Sequence, residues 1–415
     1  MLADYKTRSR IQDLLQPLED AIKNIFLQAL VDHECSQFER SILALPVRKG
    51  GLGLVSPCNE AQLEYSMSKK VTAPLVKQIQ SQLHELPDDS EVQLLKQAAQ
   101  KEKRDFLNEK AKSLTESASP KMKRMIELAS EKGASSWLTV VPVSEMDFNL
   151  NKREFRDALK LRYDWSFEDN PTRCACGDLF NIDHAMICRQ GGFIIQRHNE
   201  LRDLEAELLS IVCNDVQIEP QLQEIDGEVL NSGSNKAQDA RLDVHARGFW
   251  ERQRSAFFDI RVCHPNAESY KELTPKQIYR MHENEKKRLY NRRVVEIEQG
   301  TFTPLVFTTT GGMGEECKRY HSRLAEMIAS KKGELYSKTM AWMRTKISFS
   351  LIRSALVCLR GTRSRKSKRC HAKDIDIDIE NEVARIKQMF RPWLHASLSI
   401  IIISVNAIRV IITVI

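Results

Sequence analysis

The stretch ARLDVHARGFWERQRSAFFDIRVCH, residues 240–264, decides the fold. It holds two runs of period two, ARLDVHARG (240–248) and SAFFDIRVCH (255–264), joined by the short segment FWERQR. Residues two apart share one face of a strand, so this pattern predicts two strands, and the short connection makes them a hairpin. Asp243 and Asp259 are each flanked by apolar residues in these strands. A carboxylate in such a place is costly to bury unless it is paired or binds a metal. In a hairpin the two can project to one side and hold a divalent cation. Mg²⁺ would need only these two carboxylates plus a substrate phosphate and waters. From spacing alone, two solvated strand-end aspartates would look the same.

Working outward, NELRDLEAELLSIVC (199–213) reads as a helix and DVQIEPQL (215–222) as a strand. Downstream, residues 275–300 read as a long helix, TPLVFTT (303–309) as a fourth strand, and 315–331 and 334–360 as helices. The order predicts an α/β unit, a small sheet covered by helices, in a chain that is α+β overall. Further acids for the site are Glu207 on the helix and Glu219 on the first strand. Lys286 or Lys287 on the helix after the hairpin could orient water or stabilise charge. The segment 276–293 carries seven basic residues, among them Arg280 and Arg288, against Glu283 and Glu285. Arg241 and Arg261 add to this around the hairpin. The positive charge therefore collects beside the carboxylates, as salt-dependent phosphate binding requires, although a solvated helix face has the same composition.

TRCACGDLFNIDHAMICRQGG (172–192) contains Cys174-x-Cys176-x7-His184-x3-Cys188. Two close thiols, a turn glycine and a His/Cys pair at i, i+4 can form a Cys₃His tetrahedral zinc site. With all four positions filled by protein, the zinc would be structural. The other reading is three buried free cysteines and a core histidine.

The remainder is less specific. Residues 1–42 read as an amphipathic helix, 43–57 as a loop rich in Gly and Pro, and 60–135 as charged helices broken at Pro87 and Pro120. The segment 107–124 looks like a linker or exposed helix, and 149–163 reads as a helix. The 415 residues carry a net charge of +7 and ten scattered cysteines, which suits a reducing compartment rather than a disulfide framework. After 362 comes a patch of six basic residues within 363–373, which reads as a nuclear-localisation or nucleic-acid patch or as a charged linker. The apolar segment 394–415 has three readings: a tail anchor interrupted by Arg409, an aggregation-prone strand or helix, or translated non-coding sequence.

Taken together, CACGDLFNIDHAMIC, QRHNELRD (196–203), ARLD (240–243), FFDIRV (257–262) and EKKRLY (285–290) resemble the C-terminal restriction-like endonuclease of non-LTR retrotransposon polyproteins. FERSILALPVRKGGLGLVSP (38–57) resembles the reverse-transcriptase thumb. The resemblance implies a thumb and linker over 1–134, a zinc knuckle over 135–198 and a PD-(D/E)xK core of order αβββαβ over 199–362 with added C-terminal helices; beyond it, composition marks a basic and acidic linker over 363–393 and a hydrophobic, doubtful tail over 394–415. It implies Mg²⁺- or Mn²⁺-dependent nicking of DNA, with Asp243 at the PD aspartate, Asp259 at the second acid, and Arg197, His198 and Asn199 at the Arg-His-Asn motif. The expected partners are target DNA and the element's RNA, with no small-molecule cofactor and no membrane, in the nucleus or cytoplasm. Leu242 replaces the family's Pro, and Arg261 stands at the D-x-K lysine, where a permanently charged guanidinium cannot act as a base. Nothing resembles a polymerase YxDD motif, so the chain is expected to be the C-terminal piece of a longer element. A binding remnant without catalysis, or a truncated fragment, is the alternative.

Overall fold

The computed structural model describes residues 13–82, 86–167, 169–223 and 241–361. The basic patch, the linker and the apolar tail after 362 lie outside the described residues, as do 1–12. The described residues form two compact units, 13–130 with Leu150–Trp165, and Glu131–Asn149 with 166–361.

The first unit is helical. A helix over 13–21 passes through a π-turn (Ile22–Phe26) into α1 (Leu27–Val31). The single helix expected over 1–42 is broken here. Asp32 takes a left-handed conformation (φ 51°), and Ser36 starts α2 (Gln37–Leu43) with a capping box to Glu39. Then follow α3 (Pro57–Gln80), α4 (Asp89–Ser117), α5 (Pro120–Ala129) and α6 (Lys152–Tyr163). Pro57 and Pro120 sit in the first turn, where no N–H is needed. Of the two readings of 107–124, a linker or an exposed helix, the structure shows helix: the end of α4 and the start of α5. In the loop between α2 and α3, Gly51 packs so closely that a Cβ would meet the Leu45 carbonyl oxygen at 1.9 Å. Buried Arg40 crosses the same region, pairing with Glu19 and donating to the Leu54 and Val55 carbonyls.

The second unit is built on the predicted hairpin. Its elements are α7 (Ile182–Ile187), α8 (Phe193–Ser210), β1 (Asn214–Ile218), β2 (Val244–Arg247), β3 (Ser255–Cys263), α9 (Pro275–Glu296), β4 (Thr301–Thr308), α10 (Glu315–Lys332) and α11 (Tyr336–Arg360). The sheet order is β1-β2-β3-β4, with the first two pairings antiparallel and the last parallel. The α/β architecture is thus a mixed four-stranded sheet with helices on both faces. Helix α8 begins earlier than the pattern suggested and runs unbroken across residue 198, so the Arg-His-Asn residues lie inside it. β1 is shorter than expected because Glu219 turns into the left-handed region (φ 50°).

Alternation along β3 sorts the two faces. Ala256, Phe258 and Ile260 enter the main core with α8, α10 and α11. Phe257 and Cys263 face α9, packing with Val294 and with Ile278 and Tyr279 respectively. Asp259 and Arg261 lie between those two on the α9 side. The crossover helix runs antiparallel to β3. Residues 278, 282, 286, 290 and 294, spaced by four and so on one stripe, therefore descend the strand from Cys263 to Phe257. β4 is an edge strand, and it tolerates Pro304 opposite Asp259 for that reason.

Candidate functional site

Two constellations emerge in the second unit. In the first, Cys174, Cys176, His184 and Cys188 bring their ligand atoms within 4.8 Å of one another, so that the cluster could hold a metal ion. The loop is shaped locally. Gly177 (φ 101°) allows the turn in which its N–H reaches the Cys174 carbonyl at 2.9 Å, and Asn181 caps α7 through the His184 N–H at 2.7 Å. Cys174 Sγ lies 3.7 Å from Cys188 Sγ, and Cys176 Sγ lies 3.3 Å from His184 Nε2. A disulfide requires about 2.0 Å, whereas an S–S edge of about 3.8 Å follows from four tetrahedral ligands at about 2.3 Å. The cluster is tied to the sheet. Asp183, beside His184, meets His264 Nε2 at 2.8 Å, and His264 Nδ1 meets Thr309 Oγ1 at 2.8 Å.

The second constellation lies where β2 begins. Asp243 precedes β2, directly across from Asp259 on β3, since Val244 pairs with Phe258. Asp243 Oδ2 accepts from the Ile260 N–H and lies 3.2 Å from His198 Nε2. The same nitrogen is 3.1 Å from the Ile260 carbonyl, so Nε2 faces two acceptors and carries a proton. Burial disfavours the imidazolium, but Asp243, Asn199 and Asp259 together outweigh it, and the His198 pKa is raised. Lys286 Nζ stands 2.7 Å from Asp259 Oδ2. Burial, opposed by Lys286 and reinforced by the Asp243 charge, pushes the Asp259 carboxyl up to about 6. Burial works against the Lys286 ammonium, yet Asp259 holds its pKa above the usual lysine value. Two carboxylates, an imidazole and an ammonium, from β3, the residue leading into β2, α8 and α9, thus meet within one patch.

The other expected site residues divide. Glu219 donates its N–H to the Asp243 carbonyl at 2.9 Å, while its carboxylate pairs with Arg202 and approaches Arg241. Glu207 is not in the patch: two and a half turns along α8, it pairs with Lys346 at 2.8 Å. Lys287 points away from the strand stripe to Glu316 at 2.6 Å. Arg197, expected at nucleic acid, is 2% exposed and donates to the Met186 carbonyl and Cys358 Sγ, so it braces α7 against α8 and α11 and offers no surface to a phosphate. Asn199 is half-buried beside His198. Arg261, Arg280 and Arg288 are exposed. Sequence reasoning missed Arg202 and Tyr290, whose ring lies under the Lys286 ammonium at 5.6 Å. The four-residue step from 286 to 290 was the available signal. No protein-family profile matches the chain, and no curated protein matches it in sequence.

Proposed function

We propose that this protein is a divalent-metal-dependent DNA endonuclease of restriction-like architecture, derived from a non-LTR retroelement, with a structural zinc in the Cys₃His cluster. The observation that carries the reading is the meeting of Asp243, Asp259 and Lys286, from the residue leading into β2, from β3 and from the crossover helix, beside exposed arginines. The donor set fits a hard cation. Two carboxylate oxygens face one patch, and Asp259 is 5% exposed with a pKa raised by burial, a site that a positive ion would relieve. Among the described residues no third carboxylate joins the pair at ligand spacing, and the His198 imidazole is engaged with Asp243 and the Ile260 carbonyl, so substrate phosphate and water would complete the shell. A cation held by Asp243 and Asp259 would supply an activated water and neutralise charge on the phosphate. His198 and the Ile260 N–H fix one oxygen of Asp243. Lys286 lies at Asp259, where an ammonium stabilises charge developing on the scissile phosphate. Arg261, Arg280 and Arg288 contact the backbone without reading sequence.

The test is nicking of supercoiled plasmid by the full chain with Mg²⁺ or Mn²⁺. Asp243→Asn and Asp259→Asn are each expected to lower the rate at least about a hundredfold. Undiminished nicking by either variant overturns the assignment. Salt-sensitive DNA binding by a wild-type chain that never cleaves would instead mark a binding remnant.

A further inference from the structure

In the first unit, α3 carries two stripes of opposite character. Glu60, Glu64, Met67, Val71, Pro74 and Gln78 recur at steps of three and four, and all are buried or half-buried. This stripe faces α4, where Lys110 pairs with Glu60 at 3.0 Å and Lys103 pairs with Glu64. Tyr65, Ser68, Thr72, Leu75 and Ile79 recur at the same steps and are all exposed. Ile79 is 66% exposed and Tyr65 55%. Val76, 45% exposed, and Lys69 border this outer stripe on the side away from α4. Exposed apolar side chains are ordinarily scattered singly over a surface, whereas Tyr65, Leu75, Val76 and Ile79 share one edge of one helix.

Tyr65, Thr72 and Ile79 stand seven residues apart, with Ser68 and Leu75 between them. That is the a and d spacing of a helix that pairs with another along its length. From Tyr65 to Ile79 the stripe extends about 21 Å. It is preformed, because the opposite stripe holds α3 against α4 and the helix need not be ordered on binding. Its charge has one sign. Residues 65–80 contain Lys69, Lys70 and Lys77 and no Asp or Glu. Lys70 turns to Glu102 on α4 at 2.6 Å, while Lys69 and Lys77 are exposed with no ion-pair partner among the described residues.

The charge decides among occupants. A second copy meeting this stripe about a two-fold axis would bring two wholly basic faces together. A nucleic acid would use the lysines but leave Leu75, Val76 and Ile79 without apolar partners. A basic stripe with an apolar seam fits an acidic amphipathic helix. We infer that the outer stripe of α3 is a docking surface for an acidic, heptad-patterned helix of another protein. That helix lays its apolar seam on Tyr65, Leu75, Val76 and Ile79 and sets carboxylates at Lys69 and Lys77. The inference goes beyond the endonuclease reading and does not rest on it.

The test uses the full chain and two synthetic helices of about three heptads with leucine at a and d, one carrying glutamate and the other lysine at the flanking positions. Affinity is read by fluorescence anisotropy at low and high salt. The acidic helix is expected to bind at least about tenfold tighter than the basic one, and less so as salt rises. Val76→Ser with Ile79→Ser is expected to weaken its binding at least about tenfold. Both side chains are exposed, so the circular dichroism of that variant should match wild type. Lys69→Glu with Lys77→Glu is expected to reverse the preference, so that the basic helix binds better. Equal affinity of the two helices, an unchanged preference in the charge-reversed chain, or no binding of the acidic helix by roughly 100 μM overturns the inference. Two measurements identify the other occupants. A dimer in sedimentation that Ile79→Ser dissolves overturns the inference in favour of a second copy. Binding to phosphatidylserine vesicles that the Val76→Ser, Ile79→Ser chain loses overturns it in favour of a lipid surface.

Discussion

Removing metal from the Cys₃His cluster should release residues 172–188 while leaving the sheet intact. Within that segment Cys174, Ala185, Met186 and Cys188 are buried, and the rest is half-buried or exposed. Fixing the backbone of these residues costs on the order of 17 kcal/mol at about 1 kcal/mol each. Burial of Met186 and Ala185 offsets about 3–4 kcal/mol of this. A structural zinc contributes about 10–16 kcal/mol, which brings the segment close to balance. Without it the remaining contacts, chiefly the Asn181 cap and the Asp183–His264 pair at about 1 kcal/mol each, leave the segment well short of balance. The main core, with Leu201, Phe258, Leu305, Tyr320 and Ile347 all fully buried, does not depend on the cluster. The assay is hydrogen exchange on the full chain before and after a strong chelator, with metal content measured in parallel. About one zinc per chain is expected, lost together with protection of the α7 amides, while β3 stays protected. Cys188→Ser should reproduce this without chelator. Unchanged protection of α7 in metal-free protein would refute the reasoning.

Three further outcomes follow from particular contacts. Asp259 has a folded pKa near 6, above its ordinary 3.8, so the folded state binds the proton more tightly. Its contribution to stability is greatest below 3.8, is lost as pH rises toward about 6, and is flat above; Asp259→Asn should flatten the change in urea midpoint across that window. Gly51→Ala would drive a Cβ into the Leu45 carbonyl at 1.9 Å and the Ile42 carbonyl at 2.6 Å, so the first unit should lose about 3 kcal/mol or more by denaturant titration. Glu207→Ala and Lys287→Ala cut exposed or half-exposed pairs outside the patch, and each should leave plasmid nicking unchanged and shift stability by no more than about 0.5 kcal/mol.

The parts of the fold readable in the sequence were those governed by local period. The hairpin, the crossover helix and the closing helices follow from alternation and three- to four-residue spacing in their own segments. The cysteine cluster was readable for the same reason, its ligands lying within fifteen residues. What escaped depends on contacts far apart in the chain or on single backbone conformations. Glu207 lies on the right helix but the wrong turn. Lys287 differs from Lys286 by one position, which is about 100° around α9, and only the register of that helix on β3 chooses between them. Arg197 reads as a DNA contact beside His198, yet its packing against Cys358, 161 residues away, buries it. The left-handed turns at Asp32 and Glu219 end elements whose patterns would have continued.

The edge strand β4 bears on how copies of this chain meet. Pro304 removes an N–H from its outer row, and farther along the strand the chain folds back on itself, Gly314 N–H to the Val306 carbonyl and Thr308 N–H to the Gly312 carbonyl. A neighbouring strand that approached this border would find one donor missing and the next stretch already occupied. The sheet is therefore closed to extension on that side, so that crowding many copies onto one nucleic acid would not by itself draw them into a continuous β-ladder.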